Sequence, residues 1–134
     1  RLCCCSKDGR ASVTVPSAGQ WTPRPLINVI ANPSFGFQTA VAGSGYTWAE
    51  NSQQNQITPW SNDPVSDRPG EAIYIRDEDG MLWTPTALPI REEAFPYIVS
   101  HGQGYSRFEH TSHGLGLELL HYLPPPRSPA FSHL

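Results

Sequence analysis

Short runs of alternating apolar and polar residues, cut every few positions by proline or glycine, make up most of this chain. Alternation at period two marks a strand with one packed face and one wet face. Arg10-Ala11-Ser12-Val13-Thr14-Val15 carries it until Pro16 and Gly19 intervene. Leu26 to Ala31 is denser in apolar residues, as a strand between two layers would be, and is bounded by Pro25 and Asn32-Pro33. Phe35 and Phe37 fall on one face of the next strand, with Gly36 and Gln38 on the other, before Gly43-Ser44-Gly45 turns the chain. Glu71 to Arg76 and Met81 to Thr84 flank Asp77-Glu78-Asp79-Gly80, whose Asp-Gly step predicts a hairpin. Tyr97 to His101, Tyr105 to His110 and Leu115 to Tyr122 complete the series, with Gly102 and Gly104 between the first two. About seven or eight short strands and no helix predict an all-β antiparallel β-sandwich.

Tyr46 to Pro69 breaks the pattern: it reads as a long irregular segment crowded with aromatic, amide and hydroxyl side chains. In a small domain, a loop of more than about 15 residues either works or is disordered. Trp48 and Trp60 argue for order, because indoles need something to pack against. Fourteen prolines and 11 glycines in 134 residues fit a loop-rich β domain and exclude long helices. The length allows one domain, expected over 10–123, between an irregular tail at 1–9 and a Pro-rich tail at 124–134. A net charge of -3, with Lys7 the only lysine, gives no electrostatic case for nucleic acid or anionic lipid. No stretch of about 20 apolar residues predicts membrane insertion, and the expected location is cytoplasmic. Cys3, Cys4 and Cys5 are adjacent, which gives neither a stapled secreted fold nor a good metal cage. With no initiator Met and the tail Pro124-Pro125-Pro126-Arg127-Ser128-Pro129, the sequence reads as a fragment of something longer.

His101, His110 and His113 invite a metal-site reading, but no His-Glu-x-x-His helix exists and glycines punctuate the segment. Hydrogen-bonded histidines on a polar sheet face are the simpler expectation, with no metal and no cofactor. Asp77, Glu78 and Asp79 lack the later ligands of a calcium loop and read as a solvated turn. Asp63, Asp67 and Glu109 supply carboxylates, but nothing in their spacing fixes a hydrolytic pair. There is no Gly-x-Ser-x-Gly elbow and no phosphate loop. Carbohydrate contact fits the residues better: sugar rings lie on flat aromatic rings, and their hydroxyls need donors and acceptors at the rim. Tyr46-Thr47-Trp48-Ala49-Glu50-Asn51-Ser52-Gln53-Gln54-Asn55 and Trp60-Ser61-Asn62-Asp63 supply both.

Several blocks carry a family resemblance. Asn28 to Phe37, Gly43 to Trp48 and Asn51 to Pro64 are followed by Pro69 to Asp77, Trp83 to Thr86 and His101 to His110. In this order, over about residues 24 to 123, they resemble the amino-terminal β-sandwich of glycoside hydrolase family 94, in the branch of the cyclic β-1,2-glucan synthases. The Cys-rich start and Pro-rich end fit that pattern poorly. The resemblance implies a supersandwich, galactose-mutarotase-like and here a partial domain, that precedes an (α/α)6 barrel in complete enzymes. It also implies that the barrel holds the catalytic aspartate and much of the phosphate site, so no catalytic residue is carried over to this chain. In the glucan synthases the parent is an inner-membrane protein, and the phosphorylase-like module trims β-1,2-glucan chains.

The implied partners are a β-glucan, the missing barrel in cis and a second copy in a homodimer. Tyr46, Trp48, Asn51, Gln53, Asn55, Trp60, Asn62, Asp63, Arg107 and Glu109 form the candidate surface, facing either glucan or barrel. Three readings follow. A sugar-contacting sandwich needs an accessible Trp48 or Trp60. A structural packing or dimerisation module needs exposed apolar surface. An autonomous hydrolase or metal enzyme needs His101, His110 and His113 to converge with nearby acids.

Overall fold

The structure, a computed structural model, describes residues 26–61, 63, 66–92 and 94–125, together with the backbone of Cys3–Cys5 and Ala11–Thr14. In chain order the strands are β1 (Cys3–Cys5), β2 (Ala11–Thr14), β3 (Ile27–Ala31), β4 (Phe35–Ala40) and β5 (Gly45–Ala49). They continue with β6 (Ile75–Arg76), β7 (Leu82–Trp83), β8 (Tyr97–Gly102), β9 (Tyr105–Ser112) and β10 (Leu115–Tyr122). A five-stranded sheet runs β1-β2-β8-β9-β10, a three-stranded meander runs β3-β4-β5, and β6 and β7 form a small ribbon. Every pairing is antiparallel.

Register decides which side chains meet. On the five-stranded sheet Val99 is opposite Phe108 and Phe108 opposite Leu119, while His101 and His121 flank Ser106. On the meander Phe37 is opposite both Ile30 and Thr47. These two faces look at each other. The Phe37 ring stands edge-on to His121 at 6.0 Å, and His121 in turn to Phe108 at 5.5 Å. The Asn28 side-chain amide crosses the gap and donates to the carbonyls of Gly102 at 3.0 Å and Tyr105 at 2.9 Å. Val41, Val99 and Phe108, with Leu119 against them, form the apolar centre.

Among the described residues that centre is small for a sandwich. Leu26, Ile27 and Val29 stay exposed at the β3 edge, and Leu115, Leu120 and Tyr122 at the β10 edge. Apolar residues left exposed along β3 and β10 are what part of a larger sandwich would leave.

The expected alternation holds in β9 and β10, whereas β3, expected between two layers, keeps Ile27 and Val29 exposed because only its Asn28 and Ile30 face turns to the other sheet. The Asp77–Gly80 reversal also forms: Asp77 accepts the amide of Met81 through Oδ1 at 2.8 Å, although the flanking strands are only two residues each. Two segments differ from expectation. Tyr46–Ala49, read as the start of an irregular stretch, belongs to β5, because the Gly43–Gly45 turn folds it back onto β4. Cys3–Cys5, expected within an irregular tail, pairs with β2 as β1.

Candidate functional site

Because Phe37 and Thr47 point at the five-stranded sheet, their neighbours on β4 and β5 point away from it. Gly36 is opposite Trp48 and Gln38 opposite Tyr46 on this outer face. The Trp48 indole lies against Gly36, where an added Cβ would come within 2.4 Å of the ring. Tyr46 packs at a tilt on Trp48 with centroids 5.0 Å apart, and Trp60 leans on Tyr46 at 6.3 Å. The three rings form a graded series. Tyr46 and Trp48 are each 9% exposed, whereas Trp60 is 49% exposed.

Between these rings, residues 50–58 make a closed turn. Asn51 Oδ1 accepts the amides of Gln53 at 2.9 Å and Gln54 at 3.1 Å, so Asn51 shapes the loop. The Asn51 carbonyl accepts the Asn55 amide, and the Asn55 carbonyl accepts the Ala49 amide. Gln53 and Asn55 remain exposed on the rim of this turn. Asp63 is half-buried and accepts the Ser66 amide at 3.1 Å together with the Ser66 hydroxyl. Asn62 lies outside the described residues.

Arg107 and Glu109 are elsewhere. They alternate with the buried Ser106, Phe108 and His110 on β9, and so occupy the outer face of the five-stranded sheet. Arg107 Nε is 3.6 Å from Glu109, and its Nη1 is 3.9 Å from Glu118 on β10. The described candidates thus divide between two opposite faces, with Tyr46, Trp48, Asn51, Gln53, Asn55, Trp60 and Asp63 gathered on the β5 side.

The histidines also divide. His110 stacks flat on Tyr97 at 3.8 Å, and its Nε2 stands 3.5 Å from Glu92, long for a hydrogen bond. His113, on the β9–β10 turn, meets the other Glu92 oxygen at 2.5 Å. Burial alone would raise the Glu92 carboxyl, but the His113 bond and charge, with contacts from Ser112 and His110, hold it below its ordinary value. His101 is separate from this cluster, with Nδ1 2.9 Å from Ser106 Oγ, so the three histidines do not converge. Among the described residues, no group of three His, Cys, Asp or Glu side chains is placed to hold a metal ion.

Two further residues, not singled out in the sequence, occupy a cleft between the sheets. Gly70 lets the chain pass so close that a Cβ there would sit 2.4 Å from the Pro59 carbonyl oxygen. Glu71 is thereby brought to β5. Its Oε1 accepts the Thr58 hydroxyl at 2.5 Å and the Thr47 hydroxyl as well, while Thr58 Oγ1 accepts the Thr47 amide at 2.8 Å. Glu71, Thr47, Phe37, Leu120, His121 and Tyr122 line an open cleft of about 270 Å³. A recess of about 60 Å³ shares Phe37, Glu71 and His121 with it. Burial pushes the His121 imidazole below its ordinary value, against the opposing pull of Glu71. The signal for His121 lay in its parity: it continues the inward series Leu115, Leu117, Leu119. Nothing local to Glu71 foretells its partners.

Residues 10–134 match the family described as the supersandwich domain of glycosyl hydrolase 94. The chain is 43% identical over 117 residues to the cyclic beta-(1,2)-glucan synthase NdvB of Rhizobium meliloti (strain 1021), covering 87% of this chain and 4% of that protein. It is 26% identical over 107 residues to the N,N'-diacetylchitobiose phosphorylase of Vibrio proteolyticus, covering 76% of this chain and 13% of the relative. With the solabiose phosphorylase of Paenibacillus borealis it shares 31% identity over 94 residues, covering 68% and 12% respectively. The chain therefore spans only a small part of the length of these curated relatives.

Proposed function

The chain belongs to the supersandwich family of glycosyl hydrolase 94, and from that premise we propose that it is a sugar-contacting module of a larger glucan-synthesising or phosphorolytic enzyme. Its ligand on this reading is a neutral oligosaccharide, β-1,2-linked glucan before others, given the relative named as a cyclic beta-(1,2)-glucan synthase. The observation that carries the proposal is the half-exposed Trp60 ring at the end of the Trp48–Tyr46–Trp60 series, with the amides of Gln53 and Asn55 exposed on the loop that joins Trp48 to Trp60. Two buried rings hold the third in place, so little side-chain freedom is lost when a sugar ring lies on it. The amides supply hydrogen-bonding rim groups without net charge, as hydroxyls require. The module positions chain; bond making and breaking belong to the catalytic barrel implied by the family.

A packing role accompanies this one. The apolar edges at Leu26, Ile27 and Val29 and at Leu115, Leu120 and Tyr122 suit burial against the rest of the parent or a second subunit.

Titration of the isotope-labelled chain with linear β-1,2-gluco-oligosaccharides, with cello-oligosaccharides for comparison, tests the sugar role. Saturable amide shifts over residues 51–60 are expected, weakened by at least about tenfold in Trp60→Ala. A dispersed spectrum with no shifts on that loop would leave packing as the module's function.

A further inference from the structure

We propose that the buried His110 is held as an imidazolium, protonated on both ring nitrogens, and that its second proton latches segment 84–92 onto the five-stranded sheet. The ring stands between two acceptors. On one side Nδ1 is 3.2 Å from the Pro96 carbonyl oxygen, and on the other Nε2 is 3.5 Å from Glu92 Oε2. The His110 side chain is fully buried, and neither its Nε2 nor Glu92 Oε2 is open to solvent or has any other hydrogen-bond partner. A neutral imidazole has one N–H and one bare nitrogen. Either tautomer would therefore aim a lone pair at an oxygen inside the fold, and only the doubly protonated ring satisfies both sides.

The surroundings favour the charge. Tyr97, opposite His110 in the register of β8 and β9, stacks on it at 3.8 Å with the rings 7° apart, so the imidazole lies over an aromatic face as a cation would. Against the effect of burial, His113 keeps Glu92 ionised, its Nε2 meeting Oε1 at 2.5 Å, so the proton between Glu92 and His110 belongs to the imidazole. His113 reaches the carboxylate from a left-handed backbone position in the β9–β10 turn, φ 51°, which a non-glycine residue adopts at a cost. The Glu92 amide also donates to the Tyr97 phenol at 3.0 Å. From the same segment Arg91 adds its charge near Tyr97, and from β10 Leu117 stands across from His110. Trp83, 2% exposed, packs on His113 at 4.9 Å, which ties the small ribbon to the latch. Losing the second proton would set a bare nitrogen against a carboxylate and free the Glu92 arm. Folding binds this proton, so the latch weakens as the pH rises above neutral.

Long-range proton–nitrogen NMR spectra of the full chain, with its histidines isotope-labelled, test this at neutral pH. Two N–H groups on His110, with similar nitrogen shifts, are expected in the folded protein. In Glu92→Gln the side-chain amide donates to Nε2 instead, so His110 should give up the second proton and show a single N–H at Nδ1. As the pH is raised above neutral, the Glu92 and His113 amides and the Trp83 indole should shift together with the His110 nitrogens, and should cease to do so in Glu92→Gln. A single N–H on His110 in the wild-type chain would overturn the proposal, whether or not the variant folds. Two N–H groups that persist in a folded Glu92→Gln, or amides indifferent to loss of the His110 proton, would overturn it as well.

Discussion

At Gly36 a hydrogen stands where any other residue would place carbon inside the Trp48 indole: the nearest ring atom would be 2.4 Å from a Cβ. The ring is buried and Tyr46 packs against it at 5.0 Å, so it has little room to retreat. Gly36→Ala is expected to cost about 1–3 kcal/mol, the usual range for overpacking, read as a lowered urea midpoint. Tryptophan emission should shift to the red as Trp48 is displaced toward water, and an unchanged emission and midpoint would refute this packing. Sequence alone assigned Gly36 to the face opposite Phe37, and did so correctly, because alternation is a local property. It could not rank the indoles. Trp48 is covered by a glycine across the sheet and a tyrosine two residues away, while Trp60, at the end of the series, stays half-exposed.

The element that presents Trp60 is a loop clasped from behind. Ile57 and Thr58 donate their amides to the Thr47 carbonyl at 2.9 and 3.3 Å, and Glu71 ties the Thr47 and Thr58 hydroxyls together. Glu71→Ala removes the acceptor from two part-buried hydroxyls, for an expected loss of about 1–3 kcal/mol. Hydrogen exchange at the Ile57 and Thr58 amides should accelerate more than at the β8–β9 amides, which do not depend on the clasp. Equal protection in both places would show that the loop holds itself. β5 was hidden in the sequence by the amide-rich residues after Ala49, and because neither of its faces is wet: Tyr46 and Trp48 pack outward, and Thr47 bonds Glu71 inward. A period-two strand with both faces in use loses the contrast that announces a strand.

Across the whole molecule, protons are the simplest probe of how the two sheets are joined. Burial holds His101 and His121 below their ordinary value of 6.5, opposed at His101 by the Leu26 backbone and at His121 by Glu71. A histidine kept neutral by folding contributes stability that is fully present above 6.5 and is lost as the pH falls toward its folded value. Glu92, held down mainly by His113 against burial, loses its contribution only below the ordinary 4.5. Asp67 runs the other way: burial raises it against the Ser44 bond, so its ionisation weakens the fold as the pH rises above 3.8. The urea midpoint is therefore expected to fall between pH 7 and 5, with a smaller fall in His121→Gln; a flat wild-type profile over that span would contradict the burial of these rings. At this scale the sequence was least informative about the site. Family resemblance grouped Arg107 and Glu109 with Trp60, yet strand parity turns them to opposite faces of the sandwich. The cleft was invisible because Glu71 and His121 come from segments 50 positions apart. One carboxylate stands both in that cleft and behind the Trp60 loop. A change that breaks the Glu71–Thr58 bond therefore reaches the loop and the cleft wall together. A single acidic side chain thus joins the two sides of β5 through nothing larger than a pair of hydrogen bonds.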